Sequence, residues 1–175
     1  MDLSIIPECY VDTNLLETLV PPMTRYNHQK GCGTVAKVMK ERFSDDFALG
    51  VIDKDKREVD YLKEFETLHT KGNLVLHKHR QKHHYIIQIS PAIEQFILNA
   101  VSTTGLSLVD YDLPTSLEAL KKVSKSVNSK GDQRFKRLFR DLRNSGAAEL
   151  TTLGSWVDYL KSNRYQVDMQ TIQAL

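Results

Sequence analysis

One stretch decides the fold: Phe47-Ala48-Leu49-Gly50-Val51-Ile52-Asp53-Lys54-Asp55-Lys56-Arg57. Its first six residues have the pattern of a buried β-strand, and the apolar run stops at two aspartates separated by one residue. In α/β folds, ligands bind beyond the carboxyl end of such a strand. Carboxylate oxygens suit Mg²⁺ or Mn²⁺, so the D-x-D pair predicts a metal site. The alternative is a solvated turn, in which Asp and Lys are ordinary residues.

The sequence before this stretch alternates between strand and helix patterns. Residues 3–6 and 26–30 predict strands, residues 12–20 predict a helix, and residues 35–43 carry the apolar stripe of a second helix. Strand, helix, strand, helix and strand in this order indicate a parallel sheet built by right-handed crossovers. We therefore predict an α/β fold with a small parallel sheet and helices on both faces.

The second half of the chain is predicted to change from mixed to helical structure. Residues 59–68 favour a helix, residues 73–79 and 84–89 favour two strands, and a further helix is expected to begin at Pro91. From Ser116 onward the sequence predicts only helices. These helices cover residues 116–127, 132–143 and 152–162.

The chain has the composition of an ordinary globular protein. Hydrophobic residues make up 41% and charged residues 26% of its 175 residues, and the net charge of +2 does not by itself indicate a polyanionic partner. We expect an α/β core over residues 1–105 and a helical C-terminal extension over residues 106–175, packed on the core. Two cysteines, no apolar run of membrane-spanning length and no signal peptide predict a cytoplasmic protein without membrane contact.

Acidic residues follow two of the predicted strands. Glu8 follows the first strand, Asp12 opens the first helix, and Asp53 and Asp55 follow the third strand. If the first and third strands are parallel neighbours, their carboxyl ends share one edge of the sheet. Carboxylates gathered there would repel one another without a cation, which is a physical reason to expect metal. Glu94 is a further candidate, either as a ligand or as a charge at a helix N-terminus.

Several segments, in this order, resemble the Toprim (topoisomerase–primase) fold over about residues 1–100. Residues 3–12, Leu-Ser-Ile-Ile-Pro-Glu-Cys-Tyr-Val-Asp, resemble its first motif, a hydrophobic strand that ends in Glu-Gly. Residues 27–35 resemble the glycine-containing turn of Toprim domains of the overcoming-lysogenization-defect nuclease type, and Asp53-Lys54-Asp55 resembles the D-x-D motif. Ile93-Glu94 resembles part of a helix found after the core in Toprim-like bacterial defence nucleases.

The resemblance implies a metal-dependent nuclease that acts on nucleic-acid phosphodiesters, in bacterial defence or repair. Glu8 would act as general acid or base with support from Asp12, while Glu8, Asp53 and Asp55 would hold Mg²⁺ or Mn²⁺ against a phosphate. Cys9 replaces the glycine that usually follows the glutamate, which hinders close approach of the backbone to a phosphate. This departure bears on catalysis more than on the fold.

Basic residues near these motifs are candidate contacts to substrate phosphates. The histidine-rich segment at residues 77–84 contains Lys78, Arg80 and Lys82. Lys30 lies beside the glycine turn, and Lys54 lies within the D-x-D motif. Lys and Arg neutralise backbone phosphates without reading bases, so we predict a nucleic-acid partner. The alternative for residues 77–84 is a solvated strand connection whose polar side chains face water.

Two other functions fit the same sequence. Residues 10–16 resemble the opening of a PIN-domain ribonuclease, in which Asp-Thr-Asn closes the first strand and Asp12 would bind metal. Residues 9–11 would then have to form that strand, and Asp53 and Asp55 would remain unexplained. The other alternative is a Toprim-derived module without turnover, whose helical C-terminus docks on a larger effector protein.

Overall fold

A five-stranded mixed sheet forms the centre of the computed structural model, which describes residues 2–54 and 59–175. The strands are β1 (Ile5–Pro7), β2 (Ala48–Asp53), β3 (Phe65–Lys71), β4 (Leu74–His79) and β5 (His84–Ile89). The α-helices are α1 (Tyr10–Leu19), α2 (Cys32–Arg42), α3 (Ile93–Thr104), α4 (Leu117–Ser124), α5 (Gln133–Asn144), α6 (Ala148–Asn163) and α7 (Met169–Ala174). The predicted α/β class is confirmed.

The strands of the sheet follow the order β1-β2-β5-β4-β3. β1, β2 and β5 are parallel, with Ile5 opposite Leu49 and Ala48 opposite His84. β4 is antiparallel to both β5 and β3, so the prediction of a parallel sheet is wrong for β3 and β4. A two-residue turn that begins at Gly72 joins these two strands. Such a turn suffices for an antiparallel hairpin, whereas a parallel pair requires a crossover of about a dozen residues or more.

The segment predicted as a helix at residues 59–68 contains instead a 3₁₀ turn (Asp60–Glu64) and the first part of β3. β3 is an edge strand, and Phe65 is its one buried residue. Because most of its side chains are exposed or half-buried, the alternation of apolar and polar residues that indicates a strand is weak here. The mixed composition therefore resembles that of a helix.

Residues 25–30, here called the edge segment, run beside β1. Asn27 N donates to Ile5 O at 3.0 Å, and Gln29 N donates to Pro7 O at 3.0 Å. The strand predicted here is thus an extended segment that is bonded to β1 through its N–H groups, without forming a strand of the ladder. It covers the outer edge of the sheet, where backbone groups of β1 would otherwise lack partners.

Apolar side chains fill both faces of the sheet. On one face, Leu49 and Val51 of β2 pack in the larger core, to which α1, α3, α5 and α6 contribute. On the other face, Ala48 and Ile52 pack in a smaller core with α2. The C-terminal helices belong to the larger core, where Trp156 of α6 is fully buried.

α6 is the longest of the described helices, with 16 residues. A helix that crosses a membrane needs about 20 predominantly apolar residues. Within residues 2–54 and 59–175, no helix combines the necessary length with the necessary apolar character.

Gly50 of β2 allows α2 to pack closely on the sheet. A Cβ atom at this position would lie 2.9 Å from Val35 Cγ1 and 3.1 Å from Met39 Sδ. We expect Gly50→Ala to lower the free energy of unfolding by about 1–3 kcal/mol, because the β-branched Val35 has little freedom to move away. Gly33→Ala is the control, since a Cβ there meets nothing within 4 Å and alanine favours the helix. Urea denaturation measures both variants, and equal stability of the two contradicts this packing.

Candidate active site

The carboxyl ends of β1, β2 and β5 lie together at one edge of the sheet. Glu8 N donates to Val51 O at 3.0 Å, and Lys54 N donates to Ile89 O at 2.8 Å, so the three strands end side by side. α1 and α3 begin directly after β1 and β5. α2 begins here too, because its N-cap Gly31 donates its N–H to Glu8 O at 3.3 Å. Three helix N-termini, each with a partial positive charge, therefore surround this edge.

Four carboxyl groups meet at this edge, and we call them the carboxylate cluster. They are Glu8, Asp12, Asp53 and Glu94. Glu8 follows β1, Asp53 ends β2, and Asp12 and Glu94 lie in the first turns of α1 and α3. The sequence predicts the proximity of Glu8 to Asp53, which lies 45 positions further along the chain. The chemical roles of these residues stay predictions.

Two members of the cluster cap helices. Cys9 N donates to Asp12 Oδ2 at 3.2 Å, and Asp12 N donates to Cys9 Sγ at 3.4 Å, which forms a reciprocal capping box at the start of α1. Ile93 N donates to Asp53 Oδ1 at 2.9 Å, so Asp53 stabilises the start of α3. Each of these bonds engages one of the two oxygens of the carboxyl group.

The two glutamates of the cluster are also held in place. Asp53 N donates to Glu8 Oε2 at 2.8 Å, which joins the ends of β1 and β2. Ser124 Oγ of α4 donates to Glu94 Oε1 at 2.5 Å, and Glu94 is only 5% exposed. Sequence reasoning missed Ser124, because it reaches the cluster only through the packing of α4 on α3 and no local pattern indicates that contact.

Asp12 is the most deeply buried residue of the cluster. Its side chain is 1% exposed, and Oδ1 has no hydrogen-bond partner among the residues that the structure describes. A buried polar atom without a partner costs about 1–3 kcal/mol, and more if the group is charged. This cost favours any species that gives the oxygen a partner, such as a proton, a water molecule or a cation.

Burial and repulsion between carboxylates raise the pKa values of Asp12 and Asp53. Burial is the largest cause for Asp53, repulsion from Asp12, Glu8 and Glu94 adds to it, and the pKa is raised to about 9. Burial raises the pKa of Asp12 to about 7, against the opposing effect of its hydrogen bonds with Cys9. Near neutral pH and without a cation, the cluster therefore retains protons.

Cys9, which departs from the expected glycine, acts as the N-cap of α1. Burial raises the pKa of its thiol far above the usual value, and the nearby charge of Asp12 raises it further. The thiolate is the reactive form of cysteine, so a thiol held neutral in this way is no nucleophile. The sequence signal for this role is the spacing of a capping residue and an acid three positions later, here Cys9 and Asp12.

The donors of the cluster fit a divalent cation in their chemistry. Carboxylate oxygens are the ligands that Mg²⁺ and Mn²⁺ prefer, and Asp12 Oδ1 has no partner from residues 2–54 and 59–175. Within residues 2–54 and 59–175, however, no group of three or more His, Cys, Asp or Glu side chains is arranged to hold a metal ion. Asp55, the predicted third ligand, lies outside the described residues. If the cluster alone supplies the ligands, its side chains must therefore rearrange to reach one ion.

Two of the predicted substrate contacts lie at the cluster. Lys54 follows Asp53 directly and is exposed. Lys30 is exposed at the end of the edge segment, next to Gly31, whose N–H contacts Glu8. The structure thus brings both lysines to the edge where the carboxyl groups lie.

Lys78, Arg80 and Lys82 lie at the other end of the sheet. They belong to β4 and to its connection with β5, which begins at His84 beside the amino end of β2. From His84 the strand runs about 16 Å to the cluster edge, at roughly 3.3 Å per residue. The three side chains donate to the main-chain oxygens of His79, Lys63 and Ser44. The structure therefore does not bring these three residues to the carboxylate cluster, and their role in holding a substrate stays a prediction.

The Asp-Thr-Asn segment is helical. The PIN-like alternative requires a strand over residues 9–11, but Cys9 is the N-cap of α1 and the helix begins at Tyr10. Asn14 serves packing, since its Nδ2 donates to Ser129 O at 2.7 Å and to Asp132 O at 3.1 Å. The strand on which the PIN resemblance depends is therefore not formed by these residues.

Comparison with known proteins adds no assignment to this site. No protein-family model matches the chain, and no match is found among curated proteins or solved structures. The geometry and chemistry of the cluster therefore carry the functional proposal.

The raised pKa of Asp53 makes the stability of the metal-free protein depend on pH. Below its ordinary value of 3.8 the carboxyl group is protonated in both the folded and unfolded states, and the stabilisation from protonation is lost as the pH rises through about 9. We expect the free energy of unfolding of the wild type to fall relative to that of Asp53→Asn over this range, by at most about 1.4 kcal/mol per pH unit. Urea denaturation in chelator measures the difference, and a difference that does not change with pH contradicts the burial of this charge.

Proposed function

We propose that this chain binds a divalent cation, Mg²⁺ or Mn²⁺, at the carboxylate cluster and uses it to hydrolyse nucleic-acid phosphodiesters. The proposal is carried by Asp12 Oδ1, a buried carboxylate oxygen without a partner among the described residues, close to Glu8, Asp53 and Glu94. Buried acidic groups in proteins are usually paired with basic groups or bound to metal. No basic side chain forms an ion pair with Asp12, Asp53 or Glu94 within the described part of the chain.

Residues of the cluster, together with Asp55, Lys30 and Lys54, have separate roles in the proposed reaction. Glu8, Asp53 and Asp55 would hold the cation, and Asp12 would support the site. When bound, the cation neutralises negative charge on the phosphodiester and orients the attacking water. Glu8 is the candidate general acid or base, because it is half-buried rather than buried and lies against Asp53. Lys30 and Lys54 supply positive charge for the substrate phosphate at the same edge.

Within this proposal, the fold is Toprim-like. The parallel pair β1 and β2 supports this assignment. Glu8 follows β1 and Asp53 ends β2, and both are acidic residues of the expected motifs. Further support comes from the glycine turn, where Gly31 starts α2 beside Glu8. Bacterial defence or repair is the biological setting that the resemblance implies.

A partner-binding module without turnover is the second candidate function. It is favoured by one observation: each carboxyl group of the cluster already accepts a hydrogen bond from the protein. On this alternative the cluster is a protonated network that holds three strand ends together. The helical C-terminal region would then contact a larger effector protein.

Cleavage of labelled oligonucleotides in Mg²⁺ or Mn²⁺ tests the proposal. Asp53→Asn keeps an oxygen that can cap α3, and we expect it to lower the cleavage rate by at least about a hundredfold because it removes a charge that binds the cation. Asp110→Asn is the matched control, since Asp110 is exposed in the 3₁₀ turn Leu108–Tyr111, and we expect it to cleave like the wild type.

Two outcomes would contradict this assignment. Full cleavage by a folded Asp53→Asn variant would reject the site. Absence of cleavage by the wild type with either cation would favour the module without turnover.

A further inference from the structure

We propose that the edge segment and a basic cavity beside it bind the backbone of a single nucleic-acid strand and direct it to the carboxylate cluster. Four residues define the basic cavity, and these are Arg25, His28, Arg42 and Lys130. The inference deepens the proposed function and rests on it for the fate of the bound strand. The binding step itself needs no metal.

The basic cavity has the size and lining of a phosphate site. Its volume is about 290 Å³, and no carboxylate is among the described residues that line it. Arg25 and Arg42 are exposed, whereas Lys130 is half-buried. Sites for drug-sized ligands begin at about 300 Å³, so this cavity suits a phosphate and its sugar better than a large cofactor.

The cations of the cavity form no ion pairs within the part of the chain that the structure describes. Arg25, Arg42 and Lys130 form no ion pair with any described residue. Arg134, by contrast, is paired with Asp132 at 2.7 Å. Several like charges around one concave surface raise the local positive potential, which attracts phosphate groups.

The edge segment connects the basic cavity with the carboxylate cluster. It is extended along β1, so its first residue, Arg25, lies about 16 Å from its last residue, Lys30. Arg25 lines the cavity, and Lys30 precedes Gly31, which contacts Glu8. A row that begins and ends with a cation suits a linear polyanion, because a phosphate at each end of the row finds a positive partner.

Two aromatic rings lie between the ends of this row. Tyr10 and His28 stack with ring centroids 4.2 Å apart and an interplanar angle of 21°. Lys30 Nζ lies 5.7 Å from the centroid of the Tyr10 ring. His28 Nε2 is buried and has no hydrogen-bond partner in the described part of the chain. Aromatic rings interleaved with cations are the combination that binds single strands without reading their sequence.

Binding of a short fluorescein-labelled oligothymidylate in EDTA, followed by fluorescence anisotropy, tests the inference. We expect Arg42→Gln and Lys130→Gln each to weaken binding about fivefold at roughly 0.1 M salt, and to reduce the slope of log affinity against log salt by about 0.7. Arg80→Gln removes the same charge at the connection between β4 and β5, near the other edge of the sheet from β1, and should leave binding unchanged. Thermal denaturation confirms that each variant is folded.

Three outcomes would overturn the inference. The first is that the wild type does not bind the oligonucleotide. The second is that the folded Arg42→Gln and Lys130→Gln variants bind it as tightly as the wild type does. The third is that Arg80→Gln loses as much affinity as these two variants. Binding of inorganic phosphate without binding of the oligonucleotide belongs to the first of these outcomes and would exclude a strand as the ligand. Failure of the proposed function looks different: the oligonucleotide would bind in the expected pattern but would not be cleaved when Mg²⁺ or Mn²⁺ is added.

Discussion

Parallel pairing of β2 with β1 and β5 is the constraint on which the rest of the structure depends. It brings the carboxyl ends of three strands and the starts of three helices to one edge of the sheet. Main-chain N–H groups at the helix starts stabilise the carboxyl groups that are buried there, as Asp12 and Asp53 show. A slip of β2 by one residue would move Asp53 to the other face of the sheet and disperse the carboxylate cluster.

Two features of opposite charge lie at the two ends of the edge segment. The carboxylate cluster contains more negative charge than its hydrogen bonds stabilise, so it retains protons unless a cation replaces them. The basic cavity contains positive charge without a counter-ion among the described residues, and the edge segment joins the two. A metal-assisted phosphodiesterase needs both, since the cation activates the phosphate and the basic residues hold the backbone. A structural network of capping carboxyls would explain the first feature but not the second.

Elements with strong local patterns could be predicted from the sequence. The strand expected at residues 84–89 matches β5 (His84–Ile89), and the helix expected at residues 132–143 matches α5 (Gln133–Asn144) to within a residue. β3 could not be predicted in this way, because an edge strand with few buried side chains has little alternation. In the site, the proximity of Glu8 and Asp53 could be predicted because both lie at the carboxyl ends of predicted strands. Ser124, which contacts the cluster, and Lys130, which lines the basic cavity, could not be predicted, because only the packing of segments distant in sequence brings them to these places.

Exchange of protons for one divalent cation at the carboxylate cluster is measured most directly by isothermal titration calorimetry. Mn²⁺ is titrated into the metal-free protein near neutral pH in two buffers of different ionisation enthalpy, which gives the number of protons released per bound ion. We predict saturable binding that releases about one proton, because Asp53 is protonated under these conditions, and we predict its loss in Asp53→Asn. Absence of binding heat in both buffers, or binding that releases no proton and persists in Asp53→Asn and Asp12→Asn, would contradict a metal site at the cluster.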